Sequence, residues 1–364
     1  MLTLVRGLDK KKFETTCICP PGPLAGILKE IKGVKTEVVP MYSKWDFLAI
    51  HKIKKIIRQI KREKAPFILH CHGTRGGFLG RLAVIGSIKH APKVVYTEHL
   101  WAREYKIRNP LTHFSQLATL WFLDLFTQKT IAVSGAVAEF LVEKRITLPE
   151  KVVVIYNGIK LPKNKRQTKK NKQQITIGFV GSLTKRKGVK YLIEAISALN
   201  LKFKIKNLKL LIVGEGEEKE KLQALAKKLG VAKKIEFKGL VNDIYTIYPT
   251  LDIYVQPSLD EAFGIAALEA MSVGVPVIVS RVGGLCEIIN SMSDKLSKKP
   301  FEKTDCGILV PPANSAALTD AISYLIKEKA VREKLAKCGQ KRAKLFTDRG
   351  MVEKTEKLYN SLIE

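Results

Sequence analysis

Residues 178–196 read GFVGSLTKRKGVKYLIEAI. A β-type apolar run ends in a turn at Gly181 and Ser182, a basic loop follows, and a helix with amphipathic spacing begins after Gly188. Strand, tight turn and helix in that order is the unit from which parallel α/β sheets are built. Loop cations beside the start of a helix make an anion site, because unpaired N–H groups and the positive dipole end there both favour negative charge. Arg186 and Lys187 suit a diphosphate, the arginine as a bidentate fork and the lysine as a point charge. Taken alone, a K-R-K loop in so basic a chain is ordinary surface. It matches neither the G-x-x-x-x-G-K-[ST] phosphate loop nor G-x-G-x-x-G, so its meaning must come from its surroundings.

The same alternation runs through the chain. Before this stretch, strands are expected at 13–19, 67–72, 93–98, 129–134 and 151–156, with helices near 46–64, 76–88, 111–126 and 135–144. From 175 onward, strands are expected at 175–182, 208–216, 234–239, 252–258, 276–280 and 306–312, and helices near 314–328, 330–344 and 348–363 close the chain. Several of the later strands end in glycine, proline or serine, which puts permissive backbone at the carboxyl edge of a parallel sheet, where α/β folds bind ligands. Residues 160–174, KLPKNKRQTKKNKQQ, are lysine-rich with almost no apolar side chains and read as a basic linker. The expected organisation is a domain over 1–159, the linker, a second domain over 175–345, and a final segment, 346–364, packing back on the first domain.

Composition narrows the function. A length of 364 residues suits two domains with cores of their own. No apolar run approaches the ~20 residues that span a bilayer, and the N-terminus makes a poor signal peptide, so a cytoplasmic protein is expected. The six cysteines are scattered without metal-ligand spacing and read as reduced thiols. A formal charge of +30 permits anionic partners, yet lysine is spread over nearly every element with no stacking-aromatic signature, so specific nucleic-acid binding is not expected. Residues 46–64, DFLAIHKIKKIIRQIKREK, place isoleucines on one helix face and basic residues on the other. That face suits solvent, and also peripheral attraction to an anionic membrane at its inner surface.

A second stretch carries chemistry. In PSLDEAFGIAALEAMSVGVPVIVS (257–280) a strand ends, a loop holds Glu261, and a helix starts near Phe263–Ile265. Glu261 and Glu269 are separated by roughly 12 Å of helix-like rise, whereas paired glycosidase carboxyls stand roughly 5–9.5 Å apart. Separate roles are therefore expected. Amides at Gly264, Ile265 and Ala266 suit a phosphate edge, Glu261 suits a polyhydroxylated group beyond it, and Glu269 suits a ribose diol.

At this point the chain resembles the retaining nucleotide-sugar glycosyltransferases of family 4, with the GT-B fold of two facing Rossmann-like, doubly wound parallel-sheet domains around a cleft. GSLTKRKGV, VGEGEE, PSLDEAFGIAALEAMSVGVPVI and VGGLCEII carry the resemblance in the second half; HCHGTRGGFLGRLA, VVYTEH, IAVSGAVAEFL and VIYNGI carry it in the first. The resemblance implies that Arg186 and Lys187 bind the donor diphosphate, with Gly181 and Ser182 at the first turn. Phe263, Gly264, Ile265 and Ala266 would supply helix-end amides, Glu261 would touch the transferred sugar, and Glu269 would hold the ribose. Gly214 and Gly216 would let backbone approach the nucleotide, Leu240 to Asp243 would lie near the base, and His99 would stand near the reacting sugar.

Two departures from the family pattern stand out. Many relatives have arginine where Ser182 stands, and Arg186 is expected to supply that charge. Relatives also begin with a strand and a Gly-Gly loop that LTLVRGLDKKKFETTCICPPGPL does not contain, so a start truncated by one strand is expected, with backbone groups of a central sheet left unpaired. The implied reaction moves a sugar from a nucleotide diphosphate sugar to a hydroxyl acceptor such as a glycan, a lipid-linked sugar or a cell-envelope precursor. No cofactor and no metal are implied, and the chain has no D-x-D sequence. Rival readings are a nucleotide-sugar epimerase or phosphorylase of the same fold, or an inactive nucleotide-sugar-binding protein.

Overall fold

The structure, a computed structural model, describes residues 1–43, 45–63, 66–86, 91–99, 110–162, 174–202, 207–290 and 300–364. Most of the expected linker, 163–173, lies outside the described residues. Two compact units result: the described residues up to Gly158 together with Asp348–Glu364, and Ile159–Thr347.

The first unit runs α1 (Leu2–Gly7), β1 (Thr15–Cys19), α2 (Pro23–Lys29), β2 (Val34–Val38), α3 (Phe47–Glu63), β3 (Ile68–His72), α4 (Thr74–Ala83), β4 (Lys93–Glu98), α5 (Pro110–Asp124), β5 (Lys129–Ala132), α6 (Gly135–Glu143) and β6 (Val152–Val154). β3, β4, β5 and β6 form a parallel sheet in that order, and β1 pairs in parallel with β2. Among the described strands β1 has no other partner and β3 pairs only with β4. Ser134 starts α6 by accepting the Val137 N–H at 3.2 Å, the usual way to satisfy a free first-turn donor. β2 and α2 were not expected from the sequence. VKTEV alternates apolar and polar residues over only five positions, and PLAGILK is short and interrupted by glycine, so neither stands out from loop.

The second unit runs β7 (Ile175–Val180), α7 (Val189–Lys202), β8 (Leu208–Val213), α8 (Lys219–Lys228), β9 (Ile235–Gly239), β10 (Ile253–Gln256), α9 (Ile265–Ser272), β11 (Val277–Ser280), α10 (Gly284–Ile288), β12 (Glu302–Lys303), β13 (Ile308–Val310), α11 (Ser315–Lys327) and α12 (Lys329–Ala343). Its sheet order is β12-β13-β11-β10-β7-β8-β9, parallel except for the short β12. Strands such as LKLLIV and IYVQ are buried along nearly their whole length, as a sheet covered by helices on both faces requires. Ile177, Phe179, Leu210, Ile212, Ile253 and Val255 from adjacent strands pack against Leu192 and Ile196 of α7 and Leu318 and Ile322 of α11. The last helix, α13 (Asp348–Ile363), belongs to the first unit, where Val352, Leu358 and Tyr359 pack with Leu4, Leu8, Val95 and Ile131.

One expectation is overturned. Cys306 and Cys338 form a disulfide with Cα atoms 5.0 Å apart, while Cys17, Cys19, Cys71 and Cys286 are free. The two partners are 32 residues apart in sequence and meet only because α12 packs back on the sheet, a tertiary fact that no local spacing encodes.

Candidate active site

The second sheet, taken without β12, has the chain order 3-2-1-4-5-6. Its connections diverge between β7 and β10, and such a switch point opens a crevice at the carboxyl ends of the two strands. The loops at that edge are 181–188 after β7 and 257–264 after β10. They are the two stretches that the sequence singled out.

Their contact is tight. The Leu259 N–H donates to the Arg186 carbonyl at 2.7 Å, and a Cβ on Gly188 would stand 2.0 Å from the Pro257 carbonyl oxygen. Gly188 has φ 63°, a left-handed conformation that glycine adopts without steric cost. Gly188→Ala is therefore expected to lower the stability of the second unit by about 3 kcal/mol, combining backbone strain with overpacking. That amounts to roughly 10 °C in the midpoint of its transition for a unit of this size, measurable by calorimetry. Gly214 is held against the same turn: its Cβ would fall 1.9 Å from the Gly181 carbonyl oxygen, and a Cβ on Gly216 would fall 2.4 Å from that of Leu183. Ser182 is exposed at the turn.

The charged groups pair across the two loops. Lys187 Nζ lies 2.5 Å from Glu261 Oε2, and Arg186 Nε lies 3.3 Å from Asp260 Oδ2. The cations expected to face a diphosphate thus face the two carboxylates of the neighbouring loop in this structure. Glu261 Oε2 also accepts from Gln256 Nε2 and Ser258 Oγ, each at 3.3 Å, and the Tyr254 hydroxyl donates to the Val180 carbonyl at 3.2 Å and contacts Gln256 Oε1. Glu261 is consequently buried and fixed from β10, its own loop and the K-R-K loop together.

Beyond Glu261 the chain enters α9 at Gly264, φ 103°, with no side-chain cap and no acidic residue in the first turn. The first-turn N–H groups of a helix have no intrahelical acceptor, so this end favours an anion. Ile265 is exposed and Ala266 half-buried, whereas Phe263 is buried, its ring edge-on to that of Phe346 at 5.8 Å. Glu269, two turns along, accepts from the Tyr248 hydroxyl at 2.8 Å, and burial raises its carboxyl above the ordinary range. Glu261 and Glu269 therefore answer to different partners. Tyr248 also meets the Tyr245 ring at 6.2 Å, and the Tyr245 N–H donates to Asp243 at 3.1 Å. This ties the segment after β9, with exposed Leu240, to the Glu269 end of the site.

His99 belongs to the first unit. Its Nε2 is 3.2 Å from His72 Nδ1, and the His70 and His72 rings lie 4.1 Å apart. His70 is held by Thr97 at 2.7 Å and by the Tyr359 hydroxyl. Burial, aided by the nearby N-terminal ammonium, lowers His99 to about 4, so it is neutral at pH 7. The hydrogen bond of His72 to His99 depends on β3–β4 register, which sequence does not show. Tyr248, Gln256, Ser258 and Asp260 were missed as well. The one available signal was Gln256, a polar residue at the end of an apolar strand.

Comparison with known proteins fixes the family. The model for glycosyl transferases group 1 matches residues 161–342, and that for glycosyltransferase family 4 matches 1–162. This chain belongs to the group 1 family of glycosyl transferases. The glycosyltransferase is 30% identical over 311 residues to an uncharacterized glycosyltransferase of Methanocaldococcus jannaschii, covering 81% of this chain and 74% of that one. It is 27% identical over 375 residues to the Escherichia coli UDP-Gal:alpha-D-GlcNAc-diphosphoundecaprenol alpha-1,3-galactosyltransferase, covering 98% and 91%. The structure of Anabaena HepE in complex with UDP superposes with TM-score 0.79 at 21% identity, covering 99% of this chain and 95% of that one, which shows a shared GT-B fold.

Proposed function

We propose that this glycosyltransferase moves a glycosyl unit from a nucleoside diphosphate sugar to a hydroxyl of a glycan, lipid-linked sugar or cell-envelope precursor, with retention at the anomeric carbon. The observation that carries the reading is the meeting of the Arg186–Lys187 loop with the uncapped start of α9 at the switch point of the second sheet. The diphosphate would lie against Arg186, Lys187 and the amides at Gly264 to Ala266. Glu269 would take the ribose hydroxyls through the carboxylate that Tyr248 orients, Gly214 and Gly216 would let the nucleotide close on backbone, and Leu240 to Asp243 would border the base.

The chemistry follows from charge. As the glycosidic C–O bond breaks, negative charge grows on the departing diphosphate, and fixed donors aimed at that charge are the largest available source of rate. Glu261 is poorly suited to attack carbon, since Lys187, Gln256 and Ser258 all converge on its Oε2. It is better suited to accept from a sugar hydroxyl. A front-face path remains, in which the leaving phosphate takes the acceptor's proton. His99, neutral at pH 7, would hydrogen-bond the transferred sugar rather than carry charge to it. The reading calls on no metal ion. Two relatives support its two halves: HepE is described in complex with UDP, and the E. coli enzyme is named for a UDP-sugar donor and a diphosphoundecaprenol acceptor. A lipid-linked acceptor would bring the enzyme to the inner face of a membrane.

A panel of UDP-, GDP- and ADP-sugars tests this. One base is expected to be bound and turned over at least ~10-fold better than the others, since a pocket that hydrogen-bonds its ligand rejects analogues lacking the partner. Epimerisation or phosphorolysis without transfer, or binding of a donor without turnover, would replace the assignment with one of the rival readings.

A further inference from the structure

The turn that opens α9 is held from behind by α10. A Cβ on Gly264 would stand 2.4 Å from Leu285 Cδ2 and 3.2 Å from Ile288 Cδ1, and both of those side chains are fully buried. The Gly284 N–H at the start of α10 donates to the Glu261 carbonyl at 3.3 Å. The short helix thus meets the 261–264 turn at two points. Interiors packed this closely pass a displacement on rather than absorb it.

The far end of α10 is held by Arg342 of α12. Its Nε donates to the Ile288 carbonyl at 3.1 Å and its Nη2 to the Glu287 carbonyl at 2.8 Å. A cation at a helix C-terminus is favoured by the dipole, and a planar fork on two successive carbonyls fixes rotation as well as position. Arg342 is itself well placed. Its guanidinium carbon lies 5.5 Å from the centroid of the Phe346 ring, which meets Phe263, the residue before Gly264, edge-on. Cys338, one turn earlier on α12, is tied to Cys306, and a Cβ on Gly339 would fall 3.3 Å from Met271 Cγ of α9. Arg342, α10, Gly264, Phe263 and Phe346 therefore close a ring of contacts around the turn.

We infer that Arg342 is a positioning residue for the donor diphosphate: its fork seats α10 against the 261–264 turn and so aims the amides at the start of α9. It acts through α10 rather than by touching the donor. The phosphate concerned is the one that bears the sugar, because Glu261, the group facing the sugar, belongs to the same turn. The inference rests on the diphosphate-sugar reading, and the test separates the two.

The full chain is titrated calorimetrically with UDP and UMP, GDP and GMP, and ADP and AMP. The parent is expected to bind the diphosphate of its preferred base at least ~10-fold more tightly than the monophosphate, as charge-assisted hydrogen bonds to one more phosphate allow. Arg342→Ala is expected to lower diphosphate affinity by about 10-fold, with monophosphate affinity held within about 2-fold. Donor turnover should fall by ~10²-fold, since misdirected amides no longer meet the growing charge. Arg342→Lys keeps the charge without the fork and is expected to recover part of both losses.

Arg332→Ala is the matched control. Arg332 lies earlier on α12, where it donates to the Ile326 carbonyl at 2.7 Å and to that of Leu325, so it closes the end of α11 in the same way but away from the site. Its loss is expected to lower the thermal midpoint and leave the diphosphate preference at the parent value. A parent without that preference would sink the donor reading and this inference together. Where the parent has it, an Arg342→Ala protein that loses both nucleotides equally, or neither, sinks this inference alone. If Arg342→Ala does not fold, an Arg342→Lys protein with the parent's preference and turnover overturns it.

Discussion

Lys187→Ala is expected to lower turnover of the preferred donor by about 10²–10³-fold, the loss seen when one fixed donor is removed from a developing anion. The structure adds a second consequence. Lys187 holds Glu261 at 2.5 Å, so its removal leaves a buried carboxylate supported only by Gln256 and Ser258. Breaking such a pair from one side costs more than the pair contributes, here about 2 kcal/mol of stability given the hydrogen bonds that remain. Two roles for Lys187 can be separated by a double-mutant cycle with Glu261→Gln. If the lysine acts only by holding Glu261, the double variant turns over donor no more slowly than Glu261→Gln. If it also meets the leaving diphosphate, the double variant is slower still, by an order of magnitude or more, and the coupling between the sites is partial. Turnover of Lys187→Ala at the parent rate would refute both roles.

The legible part of this site was its two loops, and the reason is local. Gly181, Gly188 and Gly264 mark turns, K-R-K marks charge, and the helix after each loop declares itself by period, so the edge of the crevice is written within two short stretches. What was not legible is what holds them. The Tyr248–Glu269 bond joins residues 21 apart, Arg186 meets Leu259 across the switch point, and Lys187 reaches Glu261 only because β10 lies beside β7. These contacts depend on strand order, which alternation of elements leaves open. β2 was lost because five weakly alternating residues carry too little signal, and the pairing of β1 with β2 alone among the described strands could only be seen once the sheet was assembled.

Acidification should destabilise the first unit well before the second. His70 is lowered by burial to about 3 and His99, for the same reason, to about 4, against an ordinary value near 6.5. With the folded value below the unfolded one, the unfolded chain takes up protons first, so stability is full above pH ~6.5 and falls as the pH drops towards the folded values. Between pH 6.5 and 5 each histidine removes about 2 kcal/mol, from 1.36 kcal/mol per unit. The pair thus removes about 4 kcal/mol, a large share of the 5–15 kcal/mol typical of a domain. His72, lowered in the same direction, adds to the loss. In the second unit the shift of Glu269 has the opposite sign: a carboxyl raised by burial binds protons more readily folded than unfolded and resists acid unfolding. Trp45 and Trp121 both lie in the first unit, so their fluorescence reports it. An unfolding midpoint in urea that moves down steeply from pH 7 to 5 by tryptophan emission, and that flattens in His70→Gln with His99→Gln, is the expected result. A midpoint independent of pH over that range would mean that the histidines take their protons in the folded state, with His99 cationic rather than neutral.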